Sequence, residues 1–522
     1  MARILSILTL FLIFPVFNAH ASTINEQDAA ILKSSFQDIL DYQKTVNEGF
    51  GTVKVVYEGA LSVTQESDHY AITLPRILLK SPEQDLEKLS FDLGVIKIIA
   101  VRDDTSEGYW KTSLQLPSVM QISDGEGNIP FEISFKDQNV IGMFNDALGY
   151  FTKINMSLSD ISFKANGEDA GMALGGAQVY MNLFAEEDGS FTGPGHILLS
   201  NFKVSPETNE DEGVNLGEIK LDYNFDQIVL PTIKEYQIKL LKYSDTFQAL
   251  SNDENVENLN PQDIVTMFMD LYDFKMNGFG FSYSIKDAEI TSANPDAEQF
   301  KIGSAKIGLE AKGFNTEEGN FSNYLSYSGF EPEENLRGIA PESAVINIRA
   351  DKFPYLTLQK VFKNTMTAIA ENPDSAEMAG LGIMMRLPAI LSQAGTQLSV
   401  SDNSFKNDVY DLSLNGSVNT DLSAMIGFMA KFKAVFEGMD DLLARLSSDS
   451  VSDDDAQEYG YYGIIDSLEK LKTIGTKETG PNGKNAYGFV FETTPQGQFL
   501  LNGQDAMSVL NGDDQAMPDT VE

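Results

Sequence analysis

Apolar residues recur along this chain at two spacings, one of two and one near 3.6. The period-two runs come first and dominate: 52–63 (TVKVVYEGALSV), 109–122, 130–135 and 344–350 (AVINIRA). Alternation at that spacing predicts half-buried strands. Within them one unit recurs four times, a short strand, a polar connector and a second strand opening on Leu/Ile-Gly. The copies are 74–80 with 92–100, 158–164 with 173–181, 199–205 with 215–223, and 285–291 with 301–309.

Side chains alternate faces along a strand, so each second strand can be sorted. One face collects Gly94, Ile96 and Ile98 in the first copy, and Gly175, Ala177, Val179 and Met181 in the second. It collects Gly217, Ile219, Leu221 and Tyr223 in the third, and Gly303, Ala305, Ile307 and Leu309 in the fourth. The other face carries Lys97, Gln178, Lys220 and Lys306, which predicts a sheet with one wet side. The candidate apolar-face positions are therefore Gly94, Ile96, Gly175, Val179, Gly217, Ile219, Gly303 and Ile307. A glycine entering such a face either lets a helix pack closely or leaves a trough for acyl chains. The first strands carry a phase slip. Leu158 lies three residues before Ile161, and Arg76, Asp160, Asn201 and Asp287 occupy the slip, where a bulge or strand start fits.

Helical spacing marks 25–46, with Ile31, Phe36, Ile39 and Leu40 on one face, and 230–250, with Pro231 in the first turn. It also marks 261–274, 356–372, 375–395, 422–446 and 462–475. The 422–446 stretch has Met425, Phe428, Met429, Phe432 and Phe436 on one side, a core stripe or a soft ligand surface. Residues 140–151 read as helix or loop, and 314–338 as a polar loop before the strand at 344. Irregular alternation of strands and helices predicts α+β: an extended, twisted antiparallel meander with helices on one face, concentrated in the C-terminal half.

The first 21 residues pair Arg3 with an apolar run and an Ala19-His20-Ala21 cleavage pattern, predicting a signal peptide. The expected regions are then 22–250, 251–512 beyond an acidic linker at 251–260, and a disordered tail at 513–522. The chain has no cysteine, so disulfides, thiolate metal sites and a lipid on cysteine are excluded. Loss of Arg3 would leave 36 bases against 77 acids. That balance opposes binding to nucleic acid, and it disfavours adsorption to anionic headgroups. No later segment is apolar enough for a membrane-spanning helix, and the polar ending argues against an outer-membrane barrel. The expected location is the periplasm or the medium.

Candidate chemistry is sparse. His69 and His196 are the only histidines beyond the leader, and no G-x-S-x-G is present, so a histidine-based triad is not expected. No His or Cys spacing suits zinc. Residues 475–484 lack the order of a phosphate loop, and 124–132 lack the sixth-position Gly and twelfth-position Glu of a calcium loop. No cofactor is expected. With 77 acids, a pair of carboxylates for glycoside hydrolysis stays open.

The closing segment 485–507, NAYGFVFETTPQGQFLLNGQDAM, resembles the ending of two groups of exported Gram-negative proteins. One is an alphaproteobacterial family of unknown function, the other the YdgA-like proteins. Residues 387–419 and 433–446 resemble them too. The YdgA-like proteins usually keep an N-terminal anchor, and the cleavable leader expected here favours the alphaproteobacterial group. A looser similarity reaches AsmA-like envelope proteins, which handle lipid along β-grooves. The resemblance implies a non-enzymatic envelope protein that binds a hydrophobic ligand, such as lipid, or a protein partner. An exported carboxylate-based hydrolase and a structural, surface-interaction protein are the alternatives.

Overall fold

A computed structural model describes residues 24–50, 53–81, 89–124, 131–165, 168–205, 213–244, 246, 261–271, 275–292, 300–332, 336–372, 376–447, 461–480 and 482–506. The expected leader, the 251–260 linker and the tail lie outside them. Among the described residues there are 26 strands and seven helices, most of the helices in the C-terminal half. Every strand pairing assigned is antiparallel, so the architecture is α+β with a meandering sheet, as the sequence pattern predicts. The chain divides into two compact units, Met1–Phe281 with Thr291–Ala293, and Ser282–Ile290 with Asn294–Glu522.

The first unit opens with α1 (Glu26–Gly49). The Asn25 side chain caps it by accepting from the Asp28 N–H at 2.8 Å. The Tyr70 hydroxyl accepts from the Asn25 N–H at 2.8 Å and so ties this start to the sheet. Leu32, Phe36, Ile39 and Leu40 form the buried face, while Ile31 points outward. The expected stripe is thus shifted by one residue at its first turn.

Ten short strands follow: β1 (Lys54–Glu58), β2 (Ser62–Gln65), β3 (Tyr70–Thr73), β4 (Arg76–Lys80) and β5 (Ser90–Gly94), then β6 (Lys97–Arg102), β7 (Tyr109–Gln115), β8 (Val119–Ser123), β9 (Phe131–Ser134) and β10 (Asp137–Asn145). Longer ones succeed them: β11 (Tyr150–Ala165), β12 (Glu168–Asn182), β14 (Phe191–Val204) and β15 (Gly213–Ile228), with the two-residue β13 (Phe184–Ala185) between. The helices α2 (Leu230–Lys242) and α3 (Pro261–Leu271) precede β16 (Gly278–Thr291), whose residues are shared between the units. Residues 140–151, read as helix or loop, are the β10–β11 hairpin.

Strand β11 is a fork. On one edge, its residues 150–159 pair with β10 and its residues 162–165 with β9. From β10 one arm runs through β7, β6 and β3 to β2. From β9 the other runs through β8, β5 and β4 to β1. The two arms and α1 share one core. Tyr70, Ile98, Trp110 and Phe144 come from the first arm, and Val55, Leu79, Phe91 and Met120 from the second. Phe36 of α1 stacks on Phe144, with ring centroids 5.1 Å apart.

Asp160 stands at the point where the fork divides, with φ +48°. Asn201 and Asp287 adopt the same left-handed conformation, at +53° and +50°. Short Asx side chains tolerate that region better than most residues. The left-handed step answers the phase slip: Leu158 and Ile161 both reach the core, as do Leu199 and Phe202. Arg76 does not take this conformation. In the first copy the register shifts between Ile77 and Leu78, and the positive φ, +70°, belongs to Gly94 across from them.

The second unit runs β17 (Phe300–Lys312), β18 (Gly319–Ser328), β19 (Ser343–Phe353), α4 (Tyr355–Glu371), α5 (Ala376–Ala394), β20 (Gln397–Lys406), β21 (Asp411–Thr420) and β22 (Phe428–Glu437). It continues with α6 (Met439–Leu446), α7 (Tyr461–Ile474), β23 (Thr476–Thr479), β24 (Asn485–Thr493), β25 (Phe499–Leu501) and β26 (Gln504–Asp505). Two expectations fail here. The loop at 314–338 contains β18, which pairs with both β17 and β19. The helix at 422–446 is instead a turn, β22 and the short α6. Phe428, Ala430, Phe432, Ala434 and Phe436 alternate with Lys431 and Lys433, and pairing with β21 and β24 outweighs the helical spacing. Helices α6 and α7 pack Met439, Leu442, Leu446 and Leu468 against Phe436, Tyr487 and Phe489, forming the second core.

Candidate functional site

The eight candidate positions fall into different surroundings. Ile96 and Val179 are buried in the core of the first unit, at 3% and 2% exposure. Gly217 and Ile219 on β15 are half-buried, as is Gly303 on β17. Ile307 is 44% exposed. The glycines described in detail meet neighbouring strands and loops rather than helices. A Cβ on Gly94 would lie 2.7 Å from Pro117 Cγ, one on Gly175 3.0 Å from the Asn201 side chain, and one on Gly303 3.2 Å from the Ser328 carbonyl oxygen. Gly217 stands between the Ser200–Glu218 and Phe202–Leu216 pairs, across from Asn201.

Ile307 leads to a feature that the repeat alone does not reveal. Its register partner is Leu325 on β18, which pairs in turn with Ile346 on β19. Ile348 faces Val400 on β20, and Ala350 faces Leu398. Paired residues share a face, so these side chains form one continuous apolar band across four strands. Its large members lie open: Leu325 at 37%, Ile348 at 38% and Leu398 at 45% exposure. Asn323 and Tyr327 are the polar residues of β18 on this face, and the Tyr327 hydroxyl donates to the Pro341 carbonyl at 3.1 Å. The opposite face carries Ser322, Tyr324, Ser326 and Arg349, with the Lys306 ammonium 5.1 Å from the Tyr324 ring.

A bulge keeps the band in phase. Asp402 takes φ +56°, and the β19–β20 register shifts between Val345 and Ile348. Phe405 and Val400, five residues apart, therefore point the same way. Phe405 packs against the second core, under α6 and α7, while Val400 belongs to the band. The same face is thus filled at one end and open further along. Helix α5 touches β19 and β21 and presents Met378, Leu381, Met384 and Met385 to solvent.

Several ionisable groups elsewhere are held in structural pairs. Burial alone would raise the Asp92 carboxyl, but hydrogen bonds from Arg76 and the Gly94 N–H more than offset it and hold its pKa low. Asp103 follows the same pattern, with Lys111 at 2.8 Å and Thr105 outweighing burial. Lys472 and Tyr487 lower Asp440, and Tyr243 with Lys242 lower Asp270. These carboxyls are stabilised as anions, the opposite of the proton-retaining carboxyl that a general acid needs. Among the described residues no group of three or more His, Asp and Glu side chains is placed to hold a metal, and no helix is long and apolar enough to cross a membrane. His196, half-buried beside Tyr180, has its pKa lowered, first by burial and then by Lys220.

No family model, curated protein or solved structure matches this chain. These comparisons do not bear on the resemblance to the YdgA-like and alphaproteobacterial proteins. Leu325 escapes a sequence reading because 319–328 lies in a Gly/Asn-rich stretch, and without it nothing joins Ile348 and Leu398 to Ile307. Only strand pairing sets their side chains beside Ile307.

Proposed function

We propose that this chain is an exported, non-enzymatic envelope protein that holds the acyl portion of a lipid on the apolar band of β17–β20. The observation that carries the reading is the row Ile307, Leu325, Ile348 and Leu398, large aliphatic side chains all more than a third exposed on one face. Contiguous apolar surface of this kind marks a binding site more often than scattered exposed residues do. Four strands at about 4.8 Å spacing give a band roughly 15 Å long. That is about half of the ~30 Å hydrocarbon core of a bilayer, the reach of one leaflet's acyl chains. The band offers no charged group, so the lipid headgroup stays in water beyond its edge.

The test uses the mature chain, 22–522, loaded with a fatty acid bearing a photoreactive diazirine. Crosslinks should concentrate on β17–β20, and Leu325→Glu should remove them while the fold persists. Crosslinks spread evenly over the surface, or unchanged by Leu325→Glu, would overturn the proposal. Capture of a protein partner on the same band, with no lipid crosslinking, would establish the protein-binding alternative.

A further inference from the structure

A second site lies wholly within the first unit. Between α1, α2 and the start of β11 is a cavity of about 210 Å³, lined by Ile39, Phe151, Met181, Ile233, Tyr150 and Lys234, among others. For scale, a dry cavity of about 150 Å³ holds benzene. Just over half of the wall is apolar, and two polar groups on it keep donor capacity to spare. The Tyr150 hydroxyl is buried and meets no hydrogen-bond partner. Lys234, half-buried, makes no ion pair among the described residues, where its one hydrogen bond goes to the Leu148 carbonyl oxygen at 3.5 Å.

An unpaired lysine is out of character in a chain with 77 acids against 37 bases. Burial lowers the Lys234 pKa, and the charge of Asp38 offsets this only in part. Aromatic faces steady the ammonium instead, with the Tyr150 ring centroid at 4.7 Å and that of Tyr42 at 5.5 Å. The Tyr42 hydroxyl is already committed to Gln237. Gly149, at φ +64°, makes the room: a Cβ there would lie 2.9 Å from Lys234 Nζ. The backbone, the rings and the unspent donors converge on the same point.

We infer that this cavity binds a small monocarboxylate with a short apolar tail. The Lys234 ammonium and Tyr150 hydroxyl receive the carboxylate, and Ile39, Phe151, Met181 and Ile233 surround the tail. An ammonium and a hydroxyl both donate and so complement an anionic acceptor. A neutral alcohol would leave the half-buried cation without a counter-charge.

Octanoate and 1-octanol, titrated calorimetrically into the mature chain, share a tail and differ in the head. Octanoate should bind at least about tenfold more tightly, as a charge-assisted hydrogen bond requires. Lys234→Met should abolish that preference by weakening octanoate alone, and Tyr150→Phe should weaken octanoate severalfold. Leu325→Glu, on the band of the second unit, should leave octanoate binding intact, which separates this site from the acyl-chain reading above. Equal affinity for the two probes, no binding of octanoate, or octanoate affinity unchanged in a folded Lys234→Met chain would each overturn the inference. Should a variant fail to fold by circular dichroism, the two-probe comparison on the unmodified chain decides alone.

Discussion

The arms around β11 and the band of β17–β20 are built from the same alternating strands, yet one buries its apolar face and the other leaves it open. Ile98 on β6 and Ile348 on β19 are the same residue type in the same kind of strand. The first is 1% exposed and the second 38%. What differs is the cover. In the first unit two arms diverge from one strand and close over α1, so both apolar faces find a partner. In the second, α6 and α7 cover the β22–β24 end, and among the described residues no helix buries Ile307 and Leu325 in that way. Amphipathic strands therefore do not by themselves make a core; the placement of the connecting helices decides.

That contrast can be broken most directly by paired truncations. Ile98→Ala should cost about 2–5 kcal/mol, the range for buried aliphatic residues, whereas Ile348→Ala should cost about 0.5 kcal/mol or less. Urea denaturation read by tryptophan fluorescence, from the single Trp110 in the core, measures the first. Far-UV circular dichroism, which reads both units, measures the second. Equal losses would mean that the band is covered in solution.

Next in size is Asn502, which stands in the second unit as Asp160 does in the first. It has φ +50° and sits where the edge of β24 passes from β23 to β25. Its side chain accepts from the Val490 N–H at 2.7 Å and donates to the carbonyls of Ile474 and Gly488. Asn502→Ala should cost about 2–3 kcal/mol, from the lost bonds and the strained backbone together. Asp160 lies exposed, its ion pair with Lys136 at a loose 3.7 Å. Asp160→Ala should therefore cost only about 1 kcal/mol of left-handed strain, and Asp160→Gly less, as melting temperatures would measure. A larger loss for Asp160→Ala than for Asn502→Ala would reverse the ranking.

The smallest effect concerns acid. The Asp92 and Asp103 pKa values are depressed in the folded chain, so both bind protons less readily there than when unfolded. Their stabilisation is complete above the unfolded value near 3.9 and fades as pH falls through the lower, folded values. The first unit's melting temperature should drop below about pH 4, and Asp103→Asn should flatten that limb. An acid limb unchanged by the substitution would assign the loss to other groups.

Much of this was readable beforehand, for identifiable reasons. A three-residue gap between apolar positions exposed the slips, because period two admits no odd spacing. The same gap singles out Asp160, Asn201 and Asp287, each of which takes a left-handed φ. Helices at 355–371, 376–394 and 461–474 had only one periodicity to offer. The 422–446 stretch offered two, since Phe428, Phe432 and Phe436 recur every four residues, a spacing that helix and strand both allow. Only the neighbours β21 and β24 resolve it. The open band was hidden for a related reason. Exposure of Ile307 depends on which elements pass over it, and no local pattern records that.

The fork at Asp160 also bears on the order in which the first unit assembles. The β10–β11 turn joins strands adjacent in sequence, so its closure costs little entropy. The β5–β8 and β1–β4 contacts each bridge longer loops, and the β9 arm closes only once β11 offers its far half. Sequence-local pairing at the hub should thus precede the arms, as contact-order reasoning requires. Asp160, exposed and bonded weakly, would then act as a divider, directing which of two incoming strands claims each half of β11.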